Sequence, residues 1–223
     1  MARLTFACLV SACLALTTTY AMTEKATKIT FEDTITLPGT ASSLSLAGVG
    51  VRVKKLVGPL AVKVYGVGLY VDEKAVGKKL SKFKGHKTGS KALFDALEAD
   101  TTFDKIVLLK MARKVGAATL VNALAESVKP RLGKGSDVAL TQFQDVLLAG
   151  LKGGEAETGK QFGFGIQGGN KLIVTINGKK QGEIASGPLA QAMLKTYLDD
   201  NAVSKDMKDS VAQGILTWIN LTK

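Results

Sequence analysis

An α+β architecture with an antiparallel sheet is what this sequence predicts, and three observations predict it. Strand-like stretches come in groups and so do helix-like stretches, whereas a doubly wound parallel sheet would alternate them. Asn177-Gly178 separates two β-prone runs, and this residue pair favours a tight hairpin because both positions accept positive φ. No internal repeat and no long linker divides the chain, so residues 22–223 read as one domain.

The elements follow in order. Residues 28–37 alternate and are rich in β-branched side chains, which predicts a strand ended by the turn at Pro38-Gly39. Two more strands are expected over 43–57 and 60–71, broken at Gly58-Pro59, with Val62, Val64 and Tyr70 buried and Lys63 facing the other way. The spacing turns helical over 73–83 and 90–97, and the close succession of Phe103, Ile106, Val107, Leu108 and Leu109 marks a strand over 102–111. Two amphipathic helices, 117–128 and 136–148, are joined through Pro130 and a Gly-Lys-Gly turn. Strands at 161–167 and 171–176 follow, then helices at 187–199 and 204–221, with Pro188 suited to a first helical turn.

The first 21 residues read as a secretory signal: Arg3, an apolar run from Leu4 to Leu16, then Thr19 and Ala21 as small residues before a cleavage point. The run is shorter than the roughly 20 apolar residues that span a bilayer. Val10-Ser11-Ala12-Cys13 resembles a lipoprotein box, but the apolar residues that continue past Cys13 favour cleavage near Ala21. The expectation is therefore an exported protein, whether periplasmic, secreted or in a plastid reached through the secretory route, with no stable membrane span.

Both cysteines, Cys8 and Cys13, fall in that leader, so the exported chain has no disulfide, thiol nucleophile or cysteine metal site. Its single histidine, His86, sits in the basic run Lys82-Phe83-Lys84-Gly85-His86-Lys87 and reads as a surface residue, not as part of a hydrolytic triad. Zinc centres normally draw on three or four His, Cys or acidic ligands, and with one histidine and no cysteine left in the exported chain a zinc enzyme is not expected, nor any other metal or cofactor. The formal charge is +11, with lysines spread along the whole chain, and no nucleic-acid-binding signature accompanies them. A solvated basic surface with a preference for anions is the reading, without a nucleic-acid partner.

Two motifs are set aside. Gly163-Phe164-Gly165-Ile166-Gln167-Gly168 spells G-x-G-x-x-G, but a strand follows where the dinucleotide fingerprint needs a helix. Strand bends and a turn explain these glycines. Asn220-Leu221-Thr222 is a glycosylation sequon too common by chance to decide anything.

The informative block is Leu46-Ala47-Gly48-Val49-Gly50-Val51-Arg52-Val53-Lys54-Lys55 and, after it, Val62-Lys63-Val64-Tyr65-Gly66-Val67-Gly68-Leu69-Tyr70-Val71-Asp72. Arg52 stands in an apolar strand after two glycines that let another chain segment or a ligand approach closely. Its planar fork suits a carboxylate or phenolate; the alternative is a pair with a structural Asp or Glu.

This block resembles the chalcone isomerase family, in particular its chalcone-isomerase-like branch, in its Gly-x-Gly-x-Arg strand and its Lys-Val-Tyr-x-x-x-Leu-Tyr strand. The resemblance continues in residues 102–124 and closes in 182–208, where Leu189-Ala190-Gln191-Ala192-Met193-Leu194-Lys195-Thr196-Tyr197-Leu198 precedes Asn201-Ala202-Val203-Ser204-Lys205-Asp206-Met207-Lys208. It implies an open-faced β-sandwich, a large antiparallel sheet with helices packed on one face and a cleft between them. It also implies that Arg52 matches the arginine that holds the substrate oxyanion in the family's enzymes and that Thr196 matches a cleft-lining helix threonine. Tyr65 falls where those enzymes have a strand threonine, and Leu120 and Ser127 fall where they have a tyrosine and an asparagine.

Leu120 has no proton to donate to a developing oxyanion, and loss of one such donor costs on the order of 10²–10³ in rate. Family members that bind fatty acids keep the arginine and a tyrosine for the carboxylate, a role that Arg52 with Tyr65 or Tyr70 would fill. The expected function is thus binding of a small lipophilic anion, a fatty acid or a flavonoid-like molecule, at Arg52, Tyr65, Tyr70 and Thr196. Two other roles stay open. One is an intramolecular lyase that cyclises a chalcone-like enone through Arg52 and Thr196; the other is a scaffold that only binds partners.

Overall fold

The computed structural model describes residues 21–39, 43–55 and 60–222; the leader and the break at Gly58-Pro59 lie outside the described residues. The chain opens with β1 (Met22–Thr23), β2 (Thr30–Phe31) and β3 (Thr34–Thr36). Two long strands, β4 (Ser43–Lys55) and β5 (Ala61–Val71), come next, and then α1 (Glu73–Lys79) and α2 (Lys91–Ala99). The middle holds β6 (Lys105–Met111), β7 (Val115–Gly116), α3 (Ala117–Val128) and α4 (Asp137–Leu151). The last third holds β8 (Glu155–Ala156), β9 (Gln161–Gln167), β10 (Lys171–Ile176), β11 (Lys179–Ile184), α5 (Gly187–Leu198) and α6 (Lys205–Leu221).

Seven strands form one antiparallel sheet in the order β11-β10-β9-β6-β5-β4-β3. Asn177 (φ 48°) and Gly178 (φ 74°) make the expected two-residue turn between β10 and β11. Four of the six helices, α1, α2, α5 and α6, start where side chains cap them: Asp72 accepts from the Ala75 amide, and Ser90, Ser186 and Ser204 accept from Leu93, Leu189 and Met207.

Strand alternation divides the sheet into two faces. Tyr65, Val67, Leu69 and Val71 of β5, with Val107 and Leu109 of β6 and Phe162 and Phe164 of β9, join the helices in the main core. Tyr70, Ile106, Leu108 and Ile173 point the other way and pack with Phe31, Leu37 and Leu44 from the N-terminal segment. All helices with core residues thus lie on one face, as an open-faced sandwich requires, and the N-terminal segment covers part of the other.

The expected strand over 28–37 is broken into β2 and β3, with Lys28 at φ 62°. The ladder is interrupted because side chains from the sheet take its carbonyls. Lys110 donates to the Thr30 oxygen (2.9 Å) and to Glu32 (2.7 Å), and the Tyr70 hydroxyl donates to the Glu32 oxygen (2.8 Å). In β5 the buried stretch begins at Tyr65, while Val62 and Val64 are only half-buried.

Gly163 and Gly165 lie within β9, and a Cβ on Gly165 would overlap Leu37 of the N-terminal segment. Gly168 and Gly169 take positive φ in the turn that follows. These glycines therefore serve close packing and a turn, with no helix after them to hold a pyrophosphate.

The two glycines before Arg52 serve α6. A Cβ on Gly48 would overlap the Val211 backbone, and one on Gly50 the Met207 backbone. The helix lies directly on β4, and Ser210 Oγ accepts the Val49 amide at 3.1 Å. A Gly50→Ala substitution is expected to destabilise the protein by about 3 kcal/mol, since backbone must shift where side chains cannot yield. Urea denaturation of wild type and variant checks this; a loss below about 0.5 kcal/mol contradicts the close seating of α6.

Candidate functional site

Arg52 and Tyr65 sit opposite each other across the β4–β5 ladder, next to a local irregularity where the register shifts. Direct cross-strand partners share a face, so both side chains project to the helix side. There they line a cleft of about 560 Å³ between the end of the hairpin and α3. Val62, Val64, Val115, Leu120 and Leu124 supply apolar wall, and Arg113 adds a second guanidinium near Arg52. The cleft thus joins an apolar wall to a charged rim, where Lys54, Arg113, Lys114 and Glu126 stand with Arg52.

The structural-pair reading of Arg52 does not hold among the described residues, where no carboxylate lies within ion-pair distance of it. Nη1 donates instead to the carbonyl of Val203 at 3.1 Å, in the loop between α5 and α6. That loop is fixed from the other side by Arg131, which grips Asp199 with two hydrogen bonds (2.7 and 2.9 Å) and donates to Ser127 and Asn201 carbonyls. The guanidinium of Arg52 is therefore positioned by backbone, with no carboxylate of the described residues paired to it.

Tyr65 is buried and its hydroxyl lies 3.2 Å from that of Tyr197 on α5. Burial raises the Tyr65 pKa above its ordinary value, against the opposing pull of Tyr197 and Arg52. Burial likewise places Tyr197 well above the usual range, with Tyr65 adding to the effect and Arg52 and Arg131 opposing it. Both hydroxyls stay protonated, and since one proton is shared between them, the pair has one to give. If Tyr197 donates to Tyr65, the Tyr65 proton is free for an anion in the cleft, and the chained hydrogen bonds strengthen one another.

The other two sequence-derived site residues lie elsewhere. Tyr70 is five residues from Tyr65, an odd spacing along the strand, and so points to the opposite face, where its hydroxyl is held by Glu32. It does not line the cleft. Thr196 is buried in α5 and its hydroxyl donates to the Ala192 carbonyl (2.8 Å), turned back on its own helix. Leu120 and Ser127 do line the cleft. Sequence reasoning missed Tyr197 and Arg113; Tyr197 was visible only as a helix residue beside Thr196.

The family described as chalcone isomerase-like matches residues 23–211, and the chain belongs to that family. Fatty-acid-binding protein 1 of Arabidopsis thaliana is 29% identical over 177 residues, 75% of this chain. The chain spans 62% of that relative's length. Chalcone–flavanone isomerase 2-B of Glycine max is 27% identical over 198 residues, which cover 82% of this chain and 85% of the isomerase. In three dimensions the chain matches the crystal structure of an Arabidopsis thaliana fatty-acid-binding protein with a TM-score of 0.77 at 24% identity, covering 90% of this chain and 99% of that one. This last likeness establishes the fold.

The three tyrosines of residues 22–223 are Tyr65, Tyr70 and Tyr197, and all have raised pKa values, burial being the largest cause in each. An acid raised in the folded state favours folding while neutral, and that stability is lost as pH climbs past the unfolded value near 10. In protein lacking residues 1–21, tyrosinate absorbance is expected to stay flat through pH 10 and rise only together with alkaline unfolding. A tyrosinate step near pH 10 with circular dichroism unchanged would contradict the buried hydroxyl pair.

Proposed function

We propose that this protein binds a lipophilic anion, with a fatty acid as the ligand its cleft suits, and that it does so without chemistry. The observation that carries this is Arg52 beside Tyr65 on the floor of a cleft with apolar walls, without a carboxylate of the protein on the guanidinium among the described residues. A carboxylate takes the Arg52 fork and the Tyr65 proton, Tyr197 supports Tyr65 from behind, and the tail lies along Val62, Val64, Leu120 and Leu124. The fatty-acid-binding relative from Arabidopsis supports the same reading.

Cyclisation of a chalcone-like enone asks for donors aimed at a developing oxyanion. Leu120 offers none, and Thr196 has turned its hydroxyl onto Ala192. Arg52 with a lone tyrosine pair fits charge capture better than turnover.

Mass spectrometry of organic extracts from the purified protein is expected to show a co-purified long-chain acid. Arg52→Ala should weaken fatty-acid binding by roughly 10- to 100-fold, the worth of a charge-assisted hydrogen-bonded pair, and Tyr197→Phe by roughly 3- to 10-fold. The methyl ester of the same acid should bind all three proteins alike. Equal fatty-acid affinity of wild type and Arg52→Ala would remove the anchor.

Export belongs to the proposal as well, on the leader's charged start, apolar core and small-residue exit. Expression in a cell with a secretory route should yield protein whose intact mass begins at Met22; a mass that includes Met1 argues against cleavage.

A further inference from the structure

Because neighbouring strands run in opposite directions, β4 and β6 end at the same edge of the sheet where β5 and β9 begin. That edge gathers Lys54, Lys55, Lys63, Arg113, Lys114 and Lys160. Four acidic groups temper it: Glu155, which pairs with Lys114 at 2.7 Å, Glu157, which also faces Lys114, Glu24 beside Lys63, and Glu126 on the cleft rim. Lys63 and Lys160 donate to the backbone carbonyls of Ala26 and Glu155. The opposite edge, where β5 ends and β6 begins, carries Asp72, Asp100 and Asp104, with Lys79 and Lys105 facing Asp100. The hairpin end is thus the more basic of the two, while other lysines lie outside both.

The basic end also exposes apolar side chains. Leu60, just before β5, is 64% exposed, and Val53 of β4, opposite Lys63, is 38% exposed. The cleft reaches this same edge, since Lys54, Val62, Arg113 and Lys114 are among its lining residues. Exposed leucine and valine at the same end as several lysines are what an anionic lipid surface attracts: the cations meet lipid headgroups and the apolar side chains enter the boundary below them.

We propose that this edge docks on an anionic bilayer, with the cleft mouth turned toward the lipid, so that the anion is taken up from the membrane or delivered to it. The inference rests on the cleft being a site for a lipophilic anion. Exposed Leu60 and Val53 at the same end as the cations favour a lipid surface over an acidic protein or nucleic acid.

The test is sedimentation of the purified protein with vesicles of phosphatidylcholine alone and with vesicles containing about a third phosphatidylglycerol. Binding is expected only to the anionic vesicles, falling as salt rises. Lys55→Glu with Leu60→Ser should weaken vesicle binding at least about 10-fold, through both lost charge attraction and lost apolar insertion. Neither residue lines the cleft, so fatty-acid affinity in solution should be unchanged in that variant. Failure of Arg52→Ala to affect the ligand would count against the binding site alone, and failure of Lys55→Glu with Leu60→Ser to affect vesicles against the docking edge alone. If Leu60→Ser by itself leaves vesicle binding intact, or if heparin binds as well as the vesicles do, simple polyanion attraction is the explanation and the docking proposal is overturned.

Discussion

The seating of α6 on β4 is the constraint on which the rest of the structure depends. Without side chains at Gly48 and Gly50, the helix backbone approaches the strand more closely than any Cβ would permit. Gly214 of the helix answers from the other side, where a Cβ would overlap the Ala47 carbonyl. This approach fixes the loop before α6, and with it the Val203 carbonyl on which Arg52 rests. A helix held farther out would leave the guanidinium without its backbone support and would loosen the α5 register that brings Tyr197 to Tyr65. Packing and site geometry are therefore one problem in this fold.

The same economy appears on the opposite face. Gly66 and Gly68 of β5 leave room for the Phe31 ring, and Gly165 of β9 for Leu37, so the N-terminal segment lies flat on the sheet. Lys110 and Tyr70 then hold its carbonyls. Along β5 the glycines alternate with Tyr65, Val67, Leu69 and Val71: small on the outer face, large on the helix face. One strand thereby carries the cover of one face and the floor of the cleft on the other.

Much of this was legible in the sequence because local physics set it. Capping residues, the Asn177-Gly178 turn and strand alternation all report on neighbours a few residues away. Arg52 could be singled out because a charge in an apolar strand is costly unless something meets it. What lay opposite Gly48 and Gly50 was not legible, since the answer, α6, is some 160 residues further along the chain. Tyr197 was hidden for the same reason: its neighbours on α5 give no hint that its hydroxyl reaches across to β5. The exclusion of Tyr70 from the cleft, by contrast, follows from counting, because an odd separation from Tyr65 within a strand means opposite faces. The break in the first strand needed tertiary knowledge again, namely that Lys110 and Tyr70 would claim its carbonyls.

Arg52, Tyr65 and Tyr197 make a site that is rigid at its polar end and apolar along its walls. Such a site captures charge at a fixed point and is tolerant of what trails behind it. Leu120, with Ala123 and Leu124, gives the α3 side of the cleft an apolar stretch that suits a hydrocarbon tail and offers an oxyanion no donor at that position. The measurement that tests this account most directly is a crystal structure of the protein with a bound long-chain fatty acid. The account predicts the carboxylate within hydrogen-bonding distance of both the Arg52 guanidinium and the Tyr65 hydroxyl, with the tail against Leu120 and Leu124. A carboxylate placed away from Arg52, or a tail occupying that position instead, would contradict it.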